Sequence, residues 1–176
     1  MAVRRKKIEG LVQELLERHN VKHAPVPIEK FAKTLGARIY YQSLEDNISG
    51  FLYRDKDQNV IGVNTHHARV RQNFTTAHEL GHLMLHDQEQ LHVDHDFRVV
   101  RLRDSASSQG ADEAEREANL FAATLLMPET FLNADLAGLE FFDLLDDSVL
   151  LDLARKYGVS TQALVNRLKN LGYMQD

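Results

Sequence analysis

Apolar residues recur every three to four positions near the start of the chain. Ile8, Leu11, Val12, Leu15 and Leu16 share one side of a helix drawn over roughly residues 3–19. The stretch NVKHAPVP, with two prolines, ends it. Pro27 opens a second, short helix, PIEKFAKTLG, which Gly36 stops. Three strand-like runs follow. ARIYYQS, ISGFLYR and NVIGVN are β-branched and aromatic, and the last two are separated by the polar turn Asp55–Gln58, so they predict a small sheet with an antiparallel hairpin. From about Ala68 to His86 the helical period returns. A polar segment rich in His, Asp and Ser follows. Within it FRVVRLR, Phe97 to Arg103, alternates enough for an edge strand. Residues 111–127, ADEAEREANLFAATLLM, form the strongest helical pattern, closed by Pro128. The tail is helical again and divides at Gly158–Ser160, where Ser160 suits an N-cap.

The apolar fraction of 43% and charged fraction of 27% are those of a globular domain, and 176 residues are enough for one hydrophobic core. The formal charge of −5 argues against a general attraction to nucleic acid. The cluster Arg4-Arg5-Lys6-Lys7 is read as the solvated start of the first helix, with contact to an acidic partner or to nucleic acid as the alternative. There is no cysteine, so disulfides and thiolate ligands are excluded. No apolar run has the length of a membrane span and no secretory leader is visible, so the cytoplasm is the expected compartment.

The chemistry lies in FTTAHELGHLMLH, residues 74–86. On a helix, His78 and His82 are four residues apart and project to the same side, offset by about 40°. Two imidazoles so placed can grip one ion, and zinc accepts imidazole nitrogen. Glu79 is one residue from the first histidine. Its side chain reaches a water activated by the metal, so it is the candidate general base. Nine histidines in the chain raise the rate of chance matches to this spacing, and the bland alternative is an amphipathic helix rich in histidine. Two features argue for the metal. Gly81 inside the motif costs about 1 kcal/mol of helix stability, which implies that another element passes close by. The surrounding residues are apolar, so the polar groups are buried and need partners.

A catalytic zinc usually takes a third protein ligand. Residues 111–127 offer Glu113, Glu115 and Glu117. The apolar face runs through Ala114, Ala118, Phe121, Ala122 and Leu125, flanked on opposite sides by Glu115 and Glu117. Glu115 is favoured because it shares its side with Asn119 and Ala122. Small residues there allow a close approach, and Asn119 could orient a ligand. Glu117 is the alternate. His86 lies about 6 Å further along the axis than His82, too far for one tetrahedral centre, and is read as a helix-end histidine, with a substrate-side role as the alternative. His92 and His95 are read as surface histidines.

FTTAHELGHLMLH followed by EREANLFAATLLMP resembles the ImmA/IrrE family of zinc metallopeptidases. That family pairs an H-E-x-x-H helix preceded by Phe-Thr with a second helix of the form E-x-x-A-N-x-F-A-A-x-L-L-M-P. The resemblance covers Pro27 to Pro128 well and extends less specifically to LARKYGVSTQALVNRLKNLG. It implies a gluzincin-like site with His78, His82 and Glu115 as ligands to one zinc and Glu79 as base. It implies cleavage of a helix-turn-helix repressor, derepressing genes of mobile elements or stress responses. The residues before Pro27 leave no room for a DNA-binding domain, so the expected substrate is a separate, XRE-type repressor.

The expected architecture is one α+β metallopeptidase domain over residues 1–176. It comprises N-terminal helices (1–36), a three- to four-stranded sheet (37–63), a zincin-type helix pair with its connecting loop (64–128), and a helical tail (129–176). The tail has a helix-turn-helix look. Residues 143–176 hold four Lys/Arg against five Asp, so direct DNA binding is not expected, and packing on the catalytic helices or docking of a substrate are the other readings. Against the zinc endopeptidase stand two rivals. One is a zinc-bearing binding module with little turnover, such as a toxin–antitoxin partner. The other is a DNA regulator acting through residues 148–171. The intact Glu79 favours the enzyme, since a pure binder has no use for a base there. Manganese is the alternative metal.

Overall fold

The β-branched and aromatic runs from residue 37 onward build the sheet that carries the site. The computed structural model describes residues 3–86, 90–95, 108–137 and 146–174, the side chains of residue 95 and residues 108–112 apart. Strands β1 (Ala37–Gln42), β2 (Ile48–Tyr53), β3 (Asn59–Asn64) and β4 (Leu91–His95) form one mixed sheet in the order β1-β3-β2-β4. β2 and β3 are the antiparallel hairpin that the short polar turn predicts, pairing Leu52 with Ile61. β1 lies parallel to β3, with Ile39 beside Ile61. The link from β1 to β2 therefore passes the end of β3. Asn64, fully buried, secures that passage: its side chain accepts from the Leu44 and His66 amides and donates to the Glu45 and Ile48 carbonyls.

One face of the sheet, with Leu52, Ile61 and Val63 fully buried, packs under helix α3 (Arg69–Leu85). Helix α4 (Ser108–Leu126) lies along α3, and α1 (Arg5–Arg18) lies on α4. Ile8, Val12, Leu15 and Leu16 of α1 are buried, as their helical spacing predicts. Each such apolar side chain taken out of water contributes about 1.5–3 kcal/mol. The short α2 (Ile28–Thr34) inserts Phe31, fully buried.

Met127 and Pro128 separate α4 from α5 (Glu129–Leu136). Helices α6 (Asp147–Tyr157) and α7 (Thr161–Asn170) complete the described chain. Gly158 between them is left-handed (φ 66°), a conformation that closes α6 without a Cβ clash, and Ser160 caps α7 by accepting from the Ala163 amide. The pair packs on the rest of the fold: Asn73 of α3 donates to the Gly158 carbonyl, and Arg167 Nε donates to the Met127 carbonyl. The tail thus packs on α3 and on the end of α4.

The α+β class and four-strand count agree with the sequence reading, and the fourth strand described is one that reading did not foresee. Phe97–Arg103 lies outside the described residues. The edge strand is Leu91–His95, in the stretch read as a polar loop. The reason is physical: its inward residues, His92 and Asp94, face α3 at the histidine cluster, so a buried strand face is polar and the usual alternation is disguised.

Candidate metal centre

The sequence of α3 buries its chemistry. Thr75 to His82 are all buried, with His78, Glu79 and His82 at 2%, 0% and 3% exposure. Gly81 is the residue through which α4 approaches: a Cβ there would lie 3.0 Å from Ala118 Cα, 3.1 Å from Ala118 O and 3.2 Å from Phe121 Cβ. The element that Gly81 was expected to admit is α4.

This approach brings Glu115 between the two histidines. Its Oε2 lies 3.3 Å from His78 Nε2, and its Oε1 lies 3.2 Å from His82 Nε2. The two Nε2 atoms are 3.0 Å apart. The other nitrogen of His78, Nδ1, is 3.0 Å from Asn119 Oδ1, one helical turn beyond Glu115. That bond fixes the ring with Nδ1 as donor and turns Nε2 toward Glu115, to which it donates while the ring is protonated and where its lone pair would face a metal. His92 of β4 joins the group. Its Nε2 is 3.3 Å from Glu115 Oε1, and its ring lies 3.8 Å, centroid to centroid, from that of His82. The reading of His92 as a surface histidine does not hold: its side chain is 16% exposed and turned inward. The side chain of His95 lies outside the described residues.

Ligands at about 2.05 Å from a tetrahedral zinc stand about 3.4 Å from one another. The 3.0–3.3 Å spacings between His78, His82, His92 and Glu115 fit that edge. Three imidazoles and a carboxylate form a donor set suited to zinc. A further observation supports the fit. Both carboxylate oxygens of Glu79 are buried with no hydrogen-bond partner among the described residues, which is costly unless something polar joins them.

The electrostatics follow from burial and crowding. Burial presses the His78 imidazole toward neutrality, yet its contact with Glu115 and the charges of Glu79 and Asp94 prevail and raise it to about 9. Burial would raise Glu115, but the two imidazoles hold it well below the usual carboxylate range. His82 is pushed down, chiefly by burial. One proton on His78 thus balances the ionised Glu115, and a divalent cation would take that proton's place. Glu79 is raised well above an ordinary glutamate by burial, with Asp94 and Glu115 adding to the rise and His78 and Arg54 opposing it. A carboxylate so placed takes up a proton readily.

Glu117 stands elsewhere. Its carboxylate, 2% exposed, accepts from the Arg4 amide, Nε and Nη2 at 2.9, 2.9 and 2.5 Å, and these bonds hold it down at about 2. His86 Nε2 is 3.8 Å from Glu117, apart from the cluster. Arg4 is therefore not merely a solvated residue: it ties the start of α1 to α4, while Arg5, Lys6 and Lys7 are exposed. Two further residues went unforeseen in the sequence. Asp94 stands with His78 and Glu79. Arg54, just beyond β2, donates from Nη2 to the carbonyls of His82 and His86 and so clamps the last turn of α3. Neither lies at a motif spacing, and only the sheet register brings them near.

A mixed four-stranded sheet under an H-E-x-x-H helix, with a glutamate delivered from the neighbouring helix, defines a metallopeptidase-type site. Residues 32–169 match the IrrE N-terminal-like domain, and the chain belongs to this ImmA/IrrE metallopeptidase family. It is 35% identical over 96 residues to metallopeptidase ImmA of Bacillus subtilis, a match covering 53% of this chain and 50% of that protein. It is 30% identical over 122 residues to an uncharacterised immunity region protein of Bacillus phage phi105, covering 69% of each. A Mycobacterium tuberculosis transcriptional regulator shares the fold at a TM-score of 0.64 and 15% identity, over 93% of this chain and 46% of that one. The chain thus spans about half the length of ImmA and of the regulator. Among the described residues no helix is long and apolar enough to cross a membrane.

Proposed function

We propose that the chain is a zinc-dependent endopeptidase, with manganese as the alternative metal, whose residues 1–176 act as one catalytic domain. Its substrate is a separate helix-turn-helix repressor of the XRE type, cut in the cytoplasm to release genes of a mobile element or a stress response. The observation that carries the reading is the convergence of His78, His82 and Glu115 beside the unsatisfied carboxylate of Glu79. The likeness to metallopeptidase ImmA supports the peptidase activity, and that to a phage immunity region protein puts a relative in a mobile element.

His78, His82 and Glu115 would hold the ion. When bound, it polarises the scissile carbonyl and makes an attacking water more acidic. Glu79 takes the proton of that water and passes it to the leaving amine. Asn119 keeps His78 facing the cluster, and Arg54 holds the turn that carries His82.

A specific observation favours a second reading, a zinc-bearing binding module of low turnover: His92 supplies a fourth donor where a peptidase needs an open position. Incubating the purified chain with the repressor encoded nearest to its gene decides between them. Cleavage that stops with a chelator and returns with zinc is expected. An intact repressor held in a stable complex would support the module.

A further inference from the structure

We propose that His92 is a displaceable fourth ligand that closes the metal site at rest. This inference rests on the metal-centre reading above. Three protein ligands leave a zinc open for chemistry; four close it. His78, His82, His92 and Glu115 present four donor atoms within 4.8 Å of one another. The His92 Nε2 to Glu115 Oε1 spacing, 3.3 Å, is the same as that from His78 Nε2 to Glu115 Oε2. His92 is thus near enough to serve as a fourth donor to the same ion, where a substrate carbonyl would need an open position.

The four donors are not held alike. His78, His82 and Glu115 sit on two helices in backbone contact at Gly81 and Ala118, and Asn119 and Arg54 brace the histidines. These three cannot move without unpacking the core. His92 belongs to β4, which among the described residues pairs only with β2. That pairing shifts register between Ile48 and Gly50, an irregularity of the kind that re-aims side chains beside active sites. Leu91, next to His92, is 54% exposed and anchors the strand weakly. Withdrawal of His92 therefore costs contacts along one strand edge, whereas loss of any other donor costs a helix interface. A substrate that displaces His92 would open the site only where it binds, so free enzyme is latent.

The test uses the full chain loaded with cobalt(II) or zinc, with acetohydroxamate as a small metal-binding probe. Wild type is expected to bind one ion per chain and to take up acetohydroxamate weakly. His92→Ala is expected still to bind one ion, with affinity at least about tenfold weaker for the lost donor. It should bind acetohydroxamate at least about tenfold tighter, with a change in the visible cobalt spectrum before the probe is added. His92→Asn, which keeps a polar side chain in the strand, is measured in parallel and should behave likewise if the alanine variant is unstable. Equal probe affinity and an unchanged cobalt spectrum in wild type and a folded variant would overturn the inference and leave the metal centre standing. Wild type that binds no metal would overturn the centre itself, and the latch with it.

Discussion

Gly81 of α3 and Ala118 of α4 meet backbone to backbone, with room for no more than a hydrogen between them: a Cβ on residue 81 would stand 3.0 Å from Ala118 Cα. The contact sets the gap across which Glu115 reaches His78 and His82. Gly81→Ala should therefore destabilise the protein, although alanine is worth about 1 kcal/mol more in a free helix. The obstruction is backbone and Phe121 Cβ, neither of which can yield without shifting α4. Overpacking of this kind costs about 1–3 kcal/mol. Gly81→Val should cost more. Thermal denaturation and zinc affinity report both, and a rise in melting temperature for Gly81→Ala would contradict the account.

Glu79→Gln keeps the size of the side chain and removes its capacity to accept a proton. The variant should bind one equivalent of zinc, as the wild type should, and lose about 10²–10⁴-fold in cleavage rate. Metal analysis alongside a cleavage assay reads the two separately. Undiminished turnover would remove Glu79 from the reaction.

The two glutamates of α4 should separate cleanly. Glu115 lies between the histidines and Glu117 under Arg4. Glu115→Ala should abolish stoichiometric zinc. Glu117→Ala should keep it and instead lower stability by about 1–2 kcal/mol, since Arg4 loses its partner but is 43% exposed and rehydrates. Metal lost only in Glu117→Ala would reverse the assignment.

Tyr157, buried beneath the tail, donates its hydroxyl to Asp135 Oδ2 at 2.7 Å, and burial together with that carboxylate raises its pKa far above the ordinary phenol value. The sign follows directly. Below about pH 10 the phenol is neutral in folded and unfolded chains and the stabilisation is complete. Above that the unfolded chain ionises first, and stability falls as pH rises. Tyr157→Phe should lose about 1 kcal/mol at neutral pH and show a shallower decline between pH 10 and 11. Denaturant melts across that range would expose an unchanged slope.

Much of this architecture is legible in local pattern. The period of Ile8 to Leu16, the hairpin on either side of Asp55–Gln58 and the Gly158–Ser160 break all appear in the structure where periodicity and capping put them. The juxtaposition of His78 and His82 needs only a helix, because both belong to one turn. Glu115 could be singled out on its helix because small neighbours mark the side where another helix can approach, and the close contact at Gly81 lies along that approach.

What local pattern could not carry is whatever depends on which strand lies beside which helix. His92 and Asp94 look like loop residues because their strand turns a polar face inward, toward the histidines, where alternation normally reports a hydrophobic core. Arg54 reaches α3 only because β2 ends beneath its last turn, and Arg4 finds Glu117 across 113 residues of chain. The sequence by itself determined the helix, the pair of histidines and the adjacent glutamate, all set by a 3.6-residue period acting over a few positions. The tertiary structure alone decided the fourth donor and the residues that brace the others, because contacts between distant segments are chosen by the packing of whole elements.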